Sequence, residues 1–111
     1  MTDQIKRAID ISKEHCTEHP LFYLGKIMEE LGEFSEAVLV EQGHMPRKVL
    51  NEDSFGEAAD VINCVCAALV AVWPNMSETE IREKLESELS RKNDKFIAIY
   101  DGTYEEKYGG K

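Results

Sequence analysis

Basic residues are scarce in this 111-residue chain: 13 Lys and Arg stand against 22 Asp and Glu, for a net charge of −9. A surface of that sign repels phosphate backbones and anionic lipid unless a cation intervenes. Neither a nucleic-acid partner nor a membrane is therefore expected. Cysteine is sparser still, at three residues. Cys16, Cys64 and Cys66 are odd in number, and two of them lie inside an apolar run, which fits neither a disulfide framework nor a zinc knuckle. No apolar segment follows Met1, so no secretory signal is expected, and the simplest setting is reducing and cytoplasmic. Strand-like alternation, repeats and low-complexity tracts are also missing.

What is present is helical punctuation. The three prolines and four of the seven glycines punctuate the apolar patterns rather than interrupt them, and the patterns predict four helices. The first runs from about Thr2 to Cys16, with Ile5, Ala8 and Ile9 on one face. Pro20 suits the first turn of a second helix, where its missing N–H does no harm. That helix continues to about Gln42, with Leu24, Ile27, Leu31, Phe34 and Val38 at spacings of three and four, and Gly43 ends it. After a polar connection over 43–51, the third helix is expected from near Asp53 to just before Pro74. Ser77 and Glu80 form a capping box for the fourth, which carries Ile81, Leu85, Leu89 and Phe96. The expected architecture is all-α, one four-helix domain over residues 1–100, with 101–111 a turn and loose tail.

From Ala58 to Trp73 every residue is apolar except Asp60 and Asn63. A helix apolar around its circumference is buried on all sides, and four helices of this size cannot surround one of their own number. A homodimer or homotetramer is expected to cover the remaining face. A membrane span needs about 20 apolar residues, and this run is shorter and contains an acid. Asp60 and Asn63 are thus expected in a dry environment, with Glu57 one turn before Asp60. Lys and Arg are absent from residues 49 to 81, so the carboxylates need either a base from another helix or a bound cation.

The second helix offers Glu29, Glu30, Glu33 and Glu36. Glu30 and Glu33 are three apart, as are Glu57 and Asp60, so each pair projects from one face of its helix. If the two helices pack antiparallel, four carboxylates converge. That arrangement suits a hard cation such as Mg²⁺, which takes oxygen ligands and keeps room for water and phosphate. The competing readings are ordinary ones. Glu29 and Glu36 fit a solvated helix face; Glu57 fits the favourable end of the helix dipole; Asp60, two turns inside, fits neither. Asn63 is either a substrate contact or a satisfied buried amide, and Trp73 and Tyr23 are either stacking platforms or packing residues. His15 and His19, and the pair Glu41 and His44, are weaker ligand candidates: Pro20 breaks the register of the first and Gly43 that of the second.

Two short segments, "EELGE" at 29–33 and "EAAD" at 57–60, resemble the EExxE and ExxD motifs of the MazG-like all-α nucleoside triphosphate pyrophosphohydrolases. "RKNDKF" at 91–96 is similar to the Asn, Lys and Phe segment on that family's last helix. The resemblance spans about residues 20–100. It implies a MazG-like bundle completed by oligomerisation, and Mg²⁺-dependent hydrolysis of a (deoxy)nucleoside triphosphate to the monophosphate and pyrophosphate, with Mn²⁺ a possible substitute. Carried over by position, Glu30, Glu33, Glu57 and Asp60 are metal ligands, and Glu29 is a candidate either for supporting a ligand from behind or for the water-orienting base. Asn63, Lys92 and Lys95 are candidate substrate contacts, with Arg91 beside them. The chain departs from the family where arginines often follow the KF pair, since Ala98 and Ile99 stand there. "GEAADVIN" is also similar to phosphoribosyl-ATP pyrophosphatase, which leaves the substrate branch open. The alternative without catalysis is a helical interaction module.

Overall fold

The computed structural model describes residues 2–46 and 48–109, and among these there are five helices and no strand. Four are the expected ones: α1 (Thr2–His15), α2 (Pro20–Glu41), α3 (Ser54–Val72) and α4 (Glu78–Asp101). The fifth, α5 (Tyr104–Tyr108), occupies the stretch expected to be a loose tail; Gly110 and Lys111 lie outside the described residues. The turn before α5 is made by Gly102, whose φ of 81° ends α4 in the left-handed conformation that glycine adopts without steric cost. Lys95 then sits 5.3 Å from the centroid of the Tyr108 ring, and Ala98, one turn on, is fully buried.

Local chemistry sets the helix boundaries. His19 caps α2 by accepting the Leu21 N–H on Nδ1 at 3.1 Å, with Pro20 following at the first position. Gly43, at φ 80°, turns the chain out of α2. Asp53 caps α3 by accepting the Gly56 N–H at 2.9 Å. The Ser77–Glu80 capping box is present in both directions: the Glu80 N–H donates to Ser77 Oγ at 3.1 Å, and the Ser77 N–H to Glu80 Oε1 at 2.9 Å.

The core lies where α1, α3 and α4 meet. Ile9, Cys66, Val70 and Ile81 are buried together, with Ile5, Ala8, Leu69 and Met76 against them. α1 is also tied to the connection that leads into α4 by the Lys13 ammonium, which donates to the Met76 carbonyl at 2.7 Å. α2 covers α3 on another side, held by the buried Tyr23 and Ala37. The direction of this pair follows from its meeting points: Lys26 lies beside Cys64, Glu30 beside Asp60, Glu33 beside Glu57, and Glu41 accepts the Ser54 N–H at 2.7 Å. Rising numbers on α2 meet falling numbers on α3, so the two are antiparallel.

α3 and α2 are each only partly covered within one chain. By length and composition α3 is apolar enough to cross a membrane; it packs on α1, on α2 and, through Cys66 and Val70, on Ile81 of α4, and leaves Ile62, Asn63 and Val72 exposed. The stripe expected to bury α2 is divided as well. Ile27 and Phe34 are half-buried, whereas Leu24, Leu31 and Val38 face outward, because α2 is apolar over more of its circumference than α3 alone can cover.

Candidate metal centre

The four carboxylates singled out from the sequence come together midway along the α2–α3 pair. Oxygens of Glu30, Glu57 and Asp60 lie within 4.8 Å of one another, and so do those of Glu29, Glu30 and Glu33. Glu30 belongs to both groups and joins them. The register does this: two turns of α2 face two turns of α3, and spacings of three keep each pair on one side of its helix.

Glu57 is the most enclosed of the set at 9% exposure, while Glu30 and Asp60 are half-buried. Asp60 is expected to be the dry residue, yet Glu57 is the more enclosed of the two, because it lies on the side of α3 that α2 covers; the ordinary reading of Glu57 as a solvated first-turn acid does not fit. Glu30 Oε2 and Glu57 Oε2 are both sealed from solvent without a hydrogen-bond partner. Buried polar atoms rarely go unpaired in folded proteins, and a cation held between these two oxygens would satisfy both; Glu86 Oε1 on α4 is sealed and unpartnered as well, outside either acid cluster. Burial, followed by the nearby Glu33 carboxylate, pushes the Glu57 carboxyl above the usual carboxylate range. Glu30 is pushed up by burial first, then by Glu33 and Asp60, and Lys26 offsets only part of this. The donor set is all oxygen, acidic and crowded, which fits Mg²⁺ or Mn²⁺ better than a softer ion.

Lys26 was not singled out in the sequence. It lies one turn before Glu30 and pairs with Glu29 at 3.4 Å, and its spacings of three and four to two of the acids were the available signal. One ammonium, 40% exposed at its side chain, does not balance this group of carboxylates. Cys64 borders the cluster too, its thiol raised first by burial and then by the Glu30 charge.

Beside the acids, Phe22, Tyr23 and Lys26 from α2, Asn63 and Cys64 from α3, and Cys16 after α1 line a cavity of about 270 Å³. Asn63 is exposed there and not a buried amide. Tyr23 is a packing residue: it is buried, and its hydroxyl accepts the Glu18 N–H at 3.0 Å. Trp73 is exposed at the far end of α3, against α4. The basic segment does not join the site within one chain. α4 packs on α1 and α5, Arg91 forks onto Glu88 at 3.0 and 3.1 Å, Lys95 covers Tyr108, and Lys92 is exposed on α4. The weaker ligand candidates have structural work instead, His19 and Glu41 capping helix starts. Glu36 is half-buried and pairs with Lys48 at 3.5 Å. None of the family models, curated proteins or solved structures compared with this chain matches it.

Proposed function

We propose that this protein is a divalent-metal-dependent hydrolase acting on a (deoxy)nucleoside triphosphate, releasing the monophosphate and pyrophosphate. The observation that carries the reading is the convergence of Glu30, Glu57 and Asp60 within 4.8 Å, with two sealed and unpartnered carboxylate oxygens among them. The resemblance of "EELGE" and "EAAD" to the MazG-like motifs supplies the substrate class. In this reading Glu30, Glu33, Glu57 and Asp60 hold Mg²⁺ or Mn²⁺, whose charge lets an acidic site accept a polyphosphate and polarises the phosphoryl group for attack by water. Glu29 stands at the solvent edge of the cluster, where a carboxylate can orient that water and take its proton. Asn63, one turn from Asp60 on the cavity wall, offers both a donor and an acceptor to the nucleoside. Lys92 and Lys95 enter only if a second copy brings them to these acids.

A panel of nucleoside triphosphates, with phosphoribosyl-ATP included to separate the two branches, tests this in the presence of Mg²⁺. Pyrophosphate release is expected, with a fall of at least about 100-fold in Asp60→Asn or Glu33→Gln, since losing even an outer support of a metal ligand costs 10–100-fold. Full activity in both variants rules out the four-carboxylate assignment. The second reading, an interaction module, draws on the exposed apolar residues of α2 and α4. It predicts no turnover of any nucleotide and no change in melting temperature with Mg²⁺, whereas a cation bound only by the folded protein must raise it.

A further inference from the structure

The acid centre and the cavity beside it share one wall. On α2, Phe22, Tyr23 and Lys26 line the cavity, and Glu29, Glu30 and Glu33 occupy the turns that follow. On α3, which runs the other way, Ala67, Cys64 and Asn63 line the cavity, and Asp60 and Glu57 lie beyond them. Both helices therefore pass in the same order from cavity to carboxylates, and Lys26 stands where one gives way to the other. It is the single charged residue on the cavity wall, and its ammonium lies 3.4 Å from Glu29 Oε1. Among the described ion pairs, no other Lys or Arg joins any of the five acids.

Little holds that ammonium on Glu29. Both side chains are exposed, at 40 and 57%, and the separation is long for a hydrogen bond between charged groups. An ion pair of this kind adds little stability. A lysine ammonium carries three donors on a flexible stem, so it can leave one acceptor for another or hold two at once. Nothing else on this wall attracts a phosphate: the carboxylates on one side repel it, and the cavity residues on the other are neutral.

We infer that Lys26 contacts the phosphate group nearest the nucleoside, the one that stays with it as the monophosphate. The inference rests on the reading of the acid centre given above and deepens it. A nucleoside in the cavity lays its phosphates across Lys26 toward the carboxylates. The lysine then holds the part of the substrate that remains, and the carboxylate end receives the pyrophosphate that departs. Its charge acts on the phosphoryl group beside the bond that breaks, and no second copy of the chain is needed to supply it, in contrast to Lys92 and Lys95.

Calorimetric titration in Mg²⁺ tests this, using the nucleoside monophosphate and the unphosphorylated nucleoside of the best substrate in the panel. The proteins are the full chain, Lys26→Met, Lys26→Arg and, as a control, Lys48→Met. Lys48 pairs with another acid of α2, Glu36, at 3.5 Å, so its loss takes the same charge from the same helix without touching the cavity. Lys26→Met should bind the monophosphate at least about tenfold more weakly, as loss of a hydrogen bond between charged groups does, and bind the nucleoside as tightly as the parent. Its kcat/KM should fall by at least the same factor. Lys26→Arg should recover most of both, and Lys48→Met should match the parent. A lysine that only offsets the acids leaves the preference for monophosphate over nucleoside unaltered in Lys26→Met, or shifts it equally in Lys48→Met; either result overturns the inference. Equal weakening toward monophosphate and nucleoside overturns it too, because the contact is then with the nucleoside. A parent protein that hydrolyses triphosphates no faster than Lys26→Met keeps the acid centre and loses this role for the lysine, whereas a parent that hydrolyses none removes the reading of the centre and the lysine's role with it.

Discussion

Glu57 is a carboxylate in a place that suits a neutral group, and its behaviour without metal follows from that. Burial and the neighbouring acids hold its pKa, and that of Glu30, above the usual range, so the folded state binds protons more tightly than the unfolded state. The stability this contributes is fully present below the ordinary carboxylate pKa and is lost as pH rises through the raised values. In chelator, the melting temperature should therefore drop more steeply over that window in the parent protein than in Glu57→Gln. At neutral pH Glu57→Gln should melt higher than the parent without metal, yet lose the rise that Mg²⁺ produces. Equal pH profiles for the two proteins would show that Glu57 is not strained by its surroundings. From the sequence, the four acids were legible because spacing alone puts each pair on one side of a helix. Which acid is driest was not, since that depends on which side of α3 the partner helix covers.

At the scale of the helix, the fourth is the one whose start is most completely specified. Ser77→Ala should cost about 1 kcal/mol, as loss of a capping hydroxyl generally does, measured by denaturant unfolding. The backbone N–H of Ser77, and then its hydroxyl, hold the Glu80 carboxyl below the usual range. The stability from that bond is present above the ordinary carboxylate pKa and disappears as pH falls through the lowered one. That acid sensitivity should largely survive in Ser77→Ala, which keeps the backbone N–H that donates to Glu80, and be lost in Glu80→Gln, as denaturant unfolding across pH would show. The glycines of α2 make a different prediction. Alanine at Gly32 adds about 1 kcal/mol of helix propensity and its methyl group meets nothing within 4 Å, so Gly32→Ala should raise stability by about that amount in denaturant unfolding. Helix boundaries were readable from Pro20, Gly43, Asp53 and the Ser77–Glu80 pair, because caps are local chemistry. The short α5 was not, since a five-residue helix has no periodicity to detect and is held by its packing on α4.

For the molecule as a whole, the buried core is small: Ile9 and Cys66 are its largest fully enclosed side chains. Ile9→Ala should cost about 2–5 kcal/mol, a large share of the ~5–15 kcal/mol available to a domain. If a second copy covers the open face of α3, the denaturation midpoint should rise with protein concentration by mass action; a constant midpoint means that the chain folds alone. The sequence-level expectation that α3 needs cover from a second copy rested on its composition and on the small number of helices in one chain; that chain leaves Ile62 and Val72 exposed, and composition does not specify what covers them. The α2–α3 pair also has a consequence for engineering. Glu41 bonds to the start of α3 and fixes the ends of the connecting segment, while Val49 within it is 85% exposed. The distance between the acids is set by helix-to-helix packing and not by the loop's length, and lengthening a surface loop costs little entropy. A reporter peptide inserted beside Val49 should leave the acidic centre assembled, which makes this loop the place to attach a probe without touching the chemistry.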